Sequence, residues 1–373
     1  MHIRYYPARI EEIRDETPDA FSLVLHNPDP VVFRYQAGQY LTLKVQTAGD
    51  TLRRAFSLSS SPATDRYLRI TIKRLPGGRV SNYLRDHLRP GDSIEVLPPM
   101  GNFTFSPLPE RSRCYVLIGA GSGITPLFSI LKTILSNEPL SRVRLWYGNR
   151  DQDSIIFAEE LTRLGRTYGD RLHVHHTLSQ PQPGWKGYTG RLDTQRIYDL
   201  LSELFMEDEL RKTYYVCGPE GLMDAAERAF DKHAVHPGDV LRERYAAPAP
   251  TEAEVERAYQ ERNATQADEE SELSDGTQTY VLQHRQVEVV LYGQSHRIDV
   301  APNQYVLDAA LDAGLDPPFA CQSGICTTCR GLLRKGTVAM DETEGLSAAE
   351  LQAGYILTCQ SHPLDDDVAI EYK

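Results

Sequence analysis

The 373-residue chain lacks any long hydrophobic run. No stretch approaches the roughly 18 consecutive apolar residues that a membrane-spanning helix needs. The opening residues, MHIRYYPARIEEIRDE, carry charges where a secretory signal would have its apolar segment. We therefore expect a cytoplasmic protein with no membrane partner.

The chain also lacks an excess of positive charge. Lys and Arg number 40 against 52 Asp and Glu, so the formal net charge is −12. Nucleic-acid-binding proteins usually show a basic face, so we expect no nucleic-acid partner. The chain is near neutral through residue 247 and acidic over 248–278 and 279–373, a pattern typical of separate modules.

Cysteine is scarce and unevenly placed, with four of the six cysteines in the last part of the chain, from Cys321 onward. A composition of 40% hydrophobic and 25% charged residues is typical of a folded globular protein and excludes disorder of the whole chain. In a long cytosolic chain, clustered cysteines indicate a metal site or redox chemistry more than disulfides.

The organisation along the chain predicts three folded modules. Short alternating strands over 1–108, at 21–26, 39–45, 68–73 and 93–96, predict an antiparallel β-barrel. Over 109–246, strands at 114–118, 143–147, 172–177 and 213–217 alternate with helices at 125–135, 154–164 and 221–233. That alternation predicts a parallel, doubly wound α/β sheet. An acidic linker over 247–278 precedes a compact module over 279–373, with a hairpin and a short helix at 306–313.

The strongest chemical motif is the spacing C-x4-C-x2-C followed by a distant cysteine, formed by Cys321, Cys326, Cys329 and Cys359. It is the plant-type spacing for a [2Fe–2S] cluster, in which two irons each need two thiolates. Three ligands would lie on one loop, where Gly324 allows the backbone to turn, and Cys359 would come from a distant strand. The alternative is a structural zinc site, although such sites usually offer two short cysteine pairs.

A glycine-rich turn, Gly119-Ala-Gly-Ser-Gly-Ile-Thr-Pro126, follows a predicted strand and precedes a predicted helix. In that context the backbone can approach a pyrophosphate at the helix N-terminus. Pro126 suits the first helical turn, where its missing N–H costs nothing. The alternative is an ordinary strand–helix connection.

Three further positions are candidate ligand contacts. Arg54 in Arg-Ala-Phe-Ser can bind a phosphate, and the Gly77-Gly-Arg-Val-Ser81 turn offers further donors. Cys217 ends a predicted strand and would face the ligand crevice, or else be a buried structural cysteine. Cys114 begins an apolar strand, and we expect it to be an inert core residue.

The end of the second strand of the α/β module bears on the choice between NADPH and NADH. An Arg there suits a 2′-phosphate, and an acid suits the free ribose hydroxyls. At this strand end Arg150 precedes Asp151, and Ser154 adds a hydroxyl, so we expect the bound nucleotide to be NADPH. The alternative is that Arg150 is a solvated charge and Asp151 only a helix cap.

Taken in this order, the motifs resemble those of the ferredoxin–NADP reductase superfamily with a plant-type ferredoxin domain at the C-terminus, and in layout the reductase components of oxygenases. The resemblance implies a six-stranded antiparallel β-barrel that binds FAD. It further implies a central α/β domain that binds NADPH or NADH, and a C-terminal α+β ferredoxin domain of the β-grasp type that binds a [2Fe–2S] cluster.

The resemblance also implies residue roles. Ser57, Cys217 and Glu243 would shape the hydride-transfer site, and Phe56 stands where Tyr is commoner in the family. The four tail cysteines would hold the cluster. The expected cofactor-binding residues are Arg54, Ala55, Phe56, Ser57, Lys73, Gly78, Val80, Ser81 and Tyr245 for the flavin, and Gly119, Gly121, Gly123, Thr125, Pro126, Arg150, Cys217 and Gly218 for the nicotinamide nucleotide.

The implied activity is electron transfer. A nicotinamide gives two electrons as hydride and a [2Fe–2S] cluster accepts one at a time, so a flavin must stand between them. The expected final partner is an oxygenase or another one-electron acceptor protein. Two alternatives stay open: a reductase for flavodoxin, quinones or ferric compounds, and a zinc-stabilised flavoprotein whose last module only docks a partner.

Overall fold

The computed structural model describes residues 4–47, 51–207, 209–245, 271–274, 279–302, 304–343 and 345–372. The chain divides into two compact units. The larger comprises Tyr6–Leu52 and Phe56–Tyr245, and the second contains the C-terminal module together with Arg53–Ala55. None of the helices in these described ranges has both the length and the apolar character needed to cross a bilayer.

The first half of the larger unit is an antiparallel sheet of six strands. They are β1 (Tyr6–Thr17), β2 (Ala20–Leu25), β3 (Tyr40–Gln46), β4 (Thr51–Ser57), β5 (Leu68–Lys73) and β6 (Ser93–Val96). Their order is β4-β3-β6-β1-β2-β5, and a bridge between Leu58 and Ile70 links the chain after β4 back to β5. The two ends of the sheet therefore meet, and the six-stranded antiparallel prediction is confirmed.

The interior of this sheet is filled by alternate residues of each strand. Phe21 and Leu23 on β2 pair with Ile72 and Ile70 on β5, and all four are at most 1% exposed. Because side chains alternate across a strand, the residues between them point to the outer face. A helix that the sequence did not predict, α1 (Arg79–His87), begins directly after Gly78.

The second half of the larger unit is a parallel sheet in the order β10-β9-β8-β7-β11-β12. Its strands are β7 (Cys114–Ala120), β8 (Arg142–Asn149), β9 (Leu172–Leu178), β10 (Tyr188–Thr189), β11 (Lys212–Gly218) and β12 (Val240–Arg244). Its helices are α2 (Ile124–Asn137), α3 (Ala158–Tyr168), α4 (Thr194–Glu207) and α5 (Glu220–Lys232). Apolar clusters bury both faces of the sheet, so the doubly wound prediction is confirmed. Cys114 is fully buried at the start of β7.

The helix predicted over 154–164 begins four residues later than expected. Asp151 and Ser154 form a reciprocal capping box around a single 3-10 turn, Gln152–Ser154, which ends there. The buried Phe157 then adopts a left-handed φ of 63°, and α3 starts after it. The helix α4 and the strand β12 were not predicted at all.

The second unit contains a mixed five-stranded sheet in the order β16-β15-β21-β17-β19. The strands of this unit are β13 (Ser271–Ser274), β14 (Thr279–Leu282), β15 (Arg285–Leu291), β16 (Gln294–Val300), β17 (Arg330–Lys335), β18 (Val338–Met340), β19 (Tyr355–Leu357), β20 (Ser361–Pro363) and β21 (Ala369–Glu371). Two short helices, α6 (Val306–Asp312) and α7 (Ala348–Gln352), complete an α+β module, as predicted.

The linker predicted over 247–278 lies largely outside the described residues. The exception is β13, which pairs antiparallel with β14. The described part of the predicted linker, Ser271–Ser274, is therefore extended backbone whose main-chain groups pair with β14.

Candidate functional site

Three neighbouring strand ends place three of the predicted site residues side by side. In the parallel register, Cys217 on β11 lies opposite Gly119 on β7 on one side and opposite Glu243 on β12 on the other. The carboxyl ends of strands in an open α/β sheet face the ligand crevice. The sheet therefore brings together residues from three separate segments of the chain.

Two glycines of the glycine-rich turn, Gly119 and Gly123, are packed too tightly to carry a side chain. A Cβ on Gly123 would lie 2.1 Å from the carbonyl oxygen of Cys217, and a Cβ on Gly119 would lie 2.7 Å from Leu127 Cδ1. Gly121 has a φ of +54°, which glycine adopts without strain. The backbone of this turn leads directly into α2, whose first-turn N–H groups and dipole favour a phosphate. These residues fit the pyrophosphate of a dinucleotide.

The antiparallel half contributes two side chains to the same region. Ser57, at the end of β4, donates a hydrogen bond from Oγ to Glu243 Oε2 over 3.2 Å. Lys73 Nζ, at the end of β5, lies 3.9 Å from the position that a Cβ on Gly121 would occupy. Lys73 also lies 3.5 Å from Asp19 Oδ2. Of the predicted residues, Ser57 therefore contacts Glu243, and Lys73 lies beside the glycine-rich turn.

The carboxyl group of Glu243 and the thiol of Cys217 are held uncharged. Burial raises the pKa of Glu243 to about 8, and the hydrogen bond from Ser57 only partly opposes that shift. Burial, together with the nearby Glu243, raises the pKa of the Cys217 thiol well above its ordinary value. At neutral pH the site therefore offers a protonated carboxyl and a neutral thiol. It does not offer a nucleophilic thiolate.

Tyr245 lies against the glycine-rich turn through its hydroxyl. That hydroxyl is 2.9 Å from Thr125 Oγ1 and donates to the carbonyl oxygen of Ser122 over 3.1 Å. The side chain remains 38% exposed. The structure therefore joins two predicted residues, Tyr245 and Thr125, in a contact that the sequence did not suggest. Stacking of Tyr245 on a flavin stays a prediction.

Three of the predicted flavin-phosphate residues, Gly78, Val80 and Ser81, lie at the start of α1. Gly78 is the N-cap of α1, and having no side chain it leaves the first-turn N–H groups of the helix to a ligand. A Cβ on Gly78 would lie 2.5 Å from Ser81 Oγ. Val80 is 4% exposed, so it can offer only its backbone. On β4, Arg54 Nη1 donates to the carbonyl oxygen of Arg53 over 2.6 Å, and Ala55 and Phe56 follow it.

The residues expected to select the nucleotide are arranged differently from the prediction. Arg150 is exposed, and its Nε lies 2.9 Å from Asp151 Oδ2. Ser154, however, is 4% exposed, and its Oγ donates to the carbonyl oxygen of Asp151 and accepts from the Asp151 N–H. The Ser154 hydroxyl serves the capping box, so the expectation that it adds a phosphate contact was wrong.

The four tail cysteines form two thiol pairs in the second unit. Cys329 Sγ and Cys359 Sγ lie 3.3 Å apart, and both residues are almost fully buried. Cys321 Sγ interacts with the Cys326 thiol and accepts the N–H groups of Ser323 and Cys326 at 3.4 and 3.3 Å. These contacts, led by the Cys326 thiol, lower the pKa of Cys321. Two pairs of thiols fit two irons that each need two thiolates.

The backbone around the cysteines explains how this arrangement forms. Gly324 has a φ of +74°, and a Cβ there would lie 2.6 Å from Glu342 Cγ. Cys359 lies on a 3-10 turn, Thr358–Gln360, so its expected place on a strand was wrong. That turn brings the Thr358 hydroxyl within 2.9 Å of the carbonyl oxygen of Cys329, which holds Cys359 beside its partner.

Comparison with protein-family models agrees with this arrangement. An oxidoreductase FAD-binding domain matches residues 7–105, an oxidoreductase NAD-binding domain matches 117–228, and a 2Fe–2S iron–sulfur cluster binding domain matches 289–364. The chain is 34% identical to one component of the 1,2-phenylacetyl-CoA epoxidase of Escherichia coli, over 99% of this chain and 98% of that protein. The chain belongs to this family of flavin- and iron–sulfur-containing reductases.

Other relatives carry the same layout. The ferredoxin reductase component of a 3-ketosteroid-9-alpha-monooxygenase from Rhodococcus rhodochrous is 34% identical, over 97% of this chain and 95% of that protein. A solved structure of phthalate dioxygenase reductase has the same fold, with a TM-score of 0.57 and 22% identity over 99% of this chain and 98% of that one. The chain is therefore an oxidoreductase with FAD-, NAD- and [2Fe–2S]-binding domains, and the zinc alternative is set aside.

Replacing Cys326 by Ser removes one thiolate of the first pair. We expect cluster assembly to fail, because an iron would keep only one protein thiolate, while NADPH-dependent reduction of ferricyanide stays within about twofold of wild type. Iron and acid-labile sulfide analysis together with the ferricyanide assay checks this. Cys114→Ser, which alters a cysteine outside both pairs, is the control; loss of both activities in Cys326→Ser would contradict independent modules.

The raised pKa of Glu243 makes the stability of the flavin-free protein depend on pH. The folded state holds a proton on Glu243 up to about pH 8, whereas the unfolded chain releases it near pH 4.5. The contribution of this group to stability is therefore present below about pH 4.5 and is lost as pH rises to about 8. We expect Glu243→Gln to flatten the decline of the melting temperature across that range. Parallel curves of melting temperature against pH for wild type and Glu243→Gln would contradict this expectation.

Proposed function

We propose that this chain accepts a hydride from NADPH and passes the electrons singly to an oxygenase component. The observation that carries the proposal is the alignment of Gly119, Cys217 and Glu243 on three strands, with Ser57 reaching Glu243 from the antiparallel half. When bound, FAD would accept the electron pair of one hydride and release it as single electrons, which the [2Fe–2S] cluster would carry one at a time.

In this proposal the residues at the strand ends orient the reactants. The backbone from Gly119 to Gly123 and the start of α2 bind the dinucleotide pyrophosphate, and Lys73 adds a positive charge beside them. The start of α1 binds the phosphates of the flavin. The neutral Cys217 and the protonated Glu243 place no negative charge where the two rings would approach each other.

Glu243 has a further role in the proposal, because it can hold or release a proton near neutral pH. Its carboxyl accepts the Ser57 hydroxyl on one side, which fixes its orientation. A carboxyl with a pKa near the working pH is suited to exchanging a proton with a neighbouring group. We assign it that position beside the hydride-transfer site.

The proposed acceptor is an oxygenase component of the kind that relatives serve. Those relatives include a component of phenylacetyl-CoA epoxidase and the reductase components of a ketosteroid monooxygenase and a glycine betaine monooxygenase. Sequence identity extends over almost the full length of each of these proteins, and it supports the same role for this chain as the partner of an oxygenase component. We favour a phenylacetyl-CoA epoxidase type of oxygenase as the partner.

The proposal is tested by reducing the anaerobic holoprotein with one equivalent of NADPH. We expect flavin bleaching followed by the low-temperature EPR signal of a reduced [2Fe–2S] cluster, and then reoxidation when an epoxidase oxygenase component and phenylacetyl-CoA are added with oxygen. Flavin bleaching without the EPR signal would contradict electron transfer to the cluster. Because oxygen alone also oxidises the reduced centres, reoxidation that is no faster with the oxygenase component than with oxygen alone would contradict the acceptor.

The preference for NADPH rests on Arg150 at the carboxyl end of β8. Its guanidinium is exposed and close to where the ribose of a bound dinucleotide lies in this kind of fold. We expect Arg150→Ala to raise the KM for NADPH about tenfold and to leave the KM for NADH within twofold, since only NADPH carries the 2′-phosphate.

The matched control is Arg166→Ala, which removes the same charge from the last turn of α3. The KM values of wild type and of both variants for NADPH and NADH are measured by steady-state reduction of ferricyanide. Equal changes in the two KM values for Arg150→Ala would contradict the assignment. A change of the same size in Arg166→Ala would show that overall charge, and not the position of Arg150, controls binding.

A further inference from the structure

We propose that Arg69 and Glu160 are positioning residues for hydride transfer, which rests on the proposed function. They hold the nucleotide-binding half of the larger unit in place on the flavin-binding sheet. Arg69 lies on β5 and Glu160 on α3, and the two residues are 91 positions apart in the sequence. It lies on the surface that the two halves share.

The outer face of the antiparallel sheet is unusual because it is polar and yet buried. Ser22 on β2 pairs with Thr71 on β5, and both alternate with the apolar interior residues. Ser22, Arg69 and Thr71 are nevertheless 0%, 7% and 4% exposed. The hydroxyl of Thr71 lies 2.7 Å from that of Ser22 and 2.8 Å from that of Ser59. This part of the outer face therefore carries a cluster of buried polar groups.

Arg69 reaches from this face to two helices of the nucleotide-binding half. Its Nη1 lies 2.7 Å from Oε1 of Glu160 on α3, and its Nη2 lies 3.4 Å from Oε2. The guanidinium also lies over two rings, 4.9 Å from the centroid of Phe157 and 5.5 Å from that of Phe128 on α2. A two-pronged ion pair of this kind fixes direction as well as distance.

Other groups on this surface bear on the charge of the pair. Glu16 on β1 faces Arg69 and accepts a hydrogen bond from Ser22, and burial raises its pKa. Lys132 on α2 is 8% exposed, pairs with Asp65 and lies 4.7 Å from the centroid of Phe128. Burial and the nearby Arg69 lower the pKa of Lys132. Each buried cation thus has a carboxylate partner from the other half.

The same surface connects directly to the hydride-transfer site. The segment that follows Ser57 contacts α2, because Ser129 Oγ donates to the carbonyl oxygen of Ser60 and the hydroxyls of Ser61 and Thr133 lie 2.7 Å apart. The helix α2 begins where the glycine-rich turn ends. A shift of α2 on the sheet would therefore move the glycine-rich turn relative to Ser57.

Hydride transfer is sensitive to such a shift. A misplacement of about 1 Å can cost about 100-fold in rate, even when the altered residue is far from the chemistry. The nucleotide itself binds to the turn and the strand ends, which the Arg69–Glu160 pair does not touch. Loss of the pair should therefore slow the chemical step and leave nucleotide affinity unchanged.

The test uses the holoprotein and three variants of α3. Glu160→Gln removes the charge and keeps the shape, Glu160→Asp keeps the charge, and Glu159→Gln removes the neighbouring exposed charge as the matched control. Anaerobic stopped-flow at increasing NADPH measures the limiting rate of flavin reduction and the nucleotide Kd. We expect Glu160→Gln to lower the limiting rate about tenfold, with Kd within twofold, and Glu160→Asp to recover part of the rate.

A second measurement does not depend on activity. Hydrogen–deuterium exchange in the flavin-free protein should rise across 124–137 in Glu160→Gln and stay unchanged in Glu159→Gln. If Glu160→Gln does not fold, Glu160→Asp is used for the test. We then expect a smaller loss in the limiting rate of flavin reduction and, again, faster hydrogen–deuterium exchange across 124–137.

A limiting rate of flavin reduction equal to that of wild type overturns the inference. If the melting temperature falls while that rate is unchanged, the pair has a structural role only. Failure of the proposed function is distinguishable, because wild type and Glu159→Gln would then also fail to bleach the flavin with NADPH.

Discussion

The close approach of the glycine-rich turn to the end of β11 is the constraint on which the rest of the larger unit depends. With a Cβ on Gly123 falling 2.1 Å from the carbonyl oxygen of Cys217, only a bare backbone lets these two segments meet. That contact places the start of α2 beside Cys217, and the register of β12 then adds Glu243. The arrangement that can receive a dinucleotide follows from a backbone packing requirement.

The sequence was most informative where a local pattern carries the chemistry. The spacing of the four tail cysteines and the glycine-rich turn predicted both sites, because ligand spacing and tight turns are encoded within a few residues. Strands of both sheets were also predicted, as 68–73 in the first and 143–147 in the second show, since a buried strand has a regular apolar pattern. The interior strand β1 was not predicted. The sequence did not predict where α3 starts, because the left-handed backbone of Phe157 depends on the burial of its side chain in the tertiary structure.

Contacts between distant segments could not be predicted in this way. The Ser57–Glu243 hydrogen bond joins residues 186 positions apart, and the Arg69–Glu160 pair joins residues 91 apart. Neither pair has a local signal, because each partner alone is an ordinary polar residue on a strand or helix. Ser154 shows the converse case: its hydroxyl suggested a ligand contact, and the reciprocal cap with Asp151 uses it instead.

The buried Arg69–Glu160 pair is better explained by orientation than by stability. Apolar residues of similar volume often stabilise a protein as well as a buried ion pair does, because the desolvation of two charges offsets their attraction. Removing one partner, however, costs about 3–5 kcal/mol, since it leaves a charge buried without compensation. Such a surface destabilises every arrangement of the two halves except the one in which the charges of Arg69 and Glu160 face each other. An apolar surface would tolerate sliding, and a reaction that depends on the distance between two rings would not.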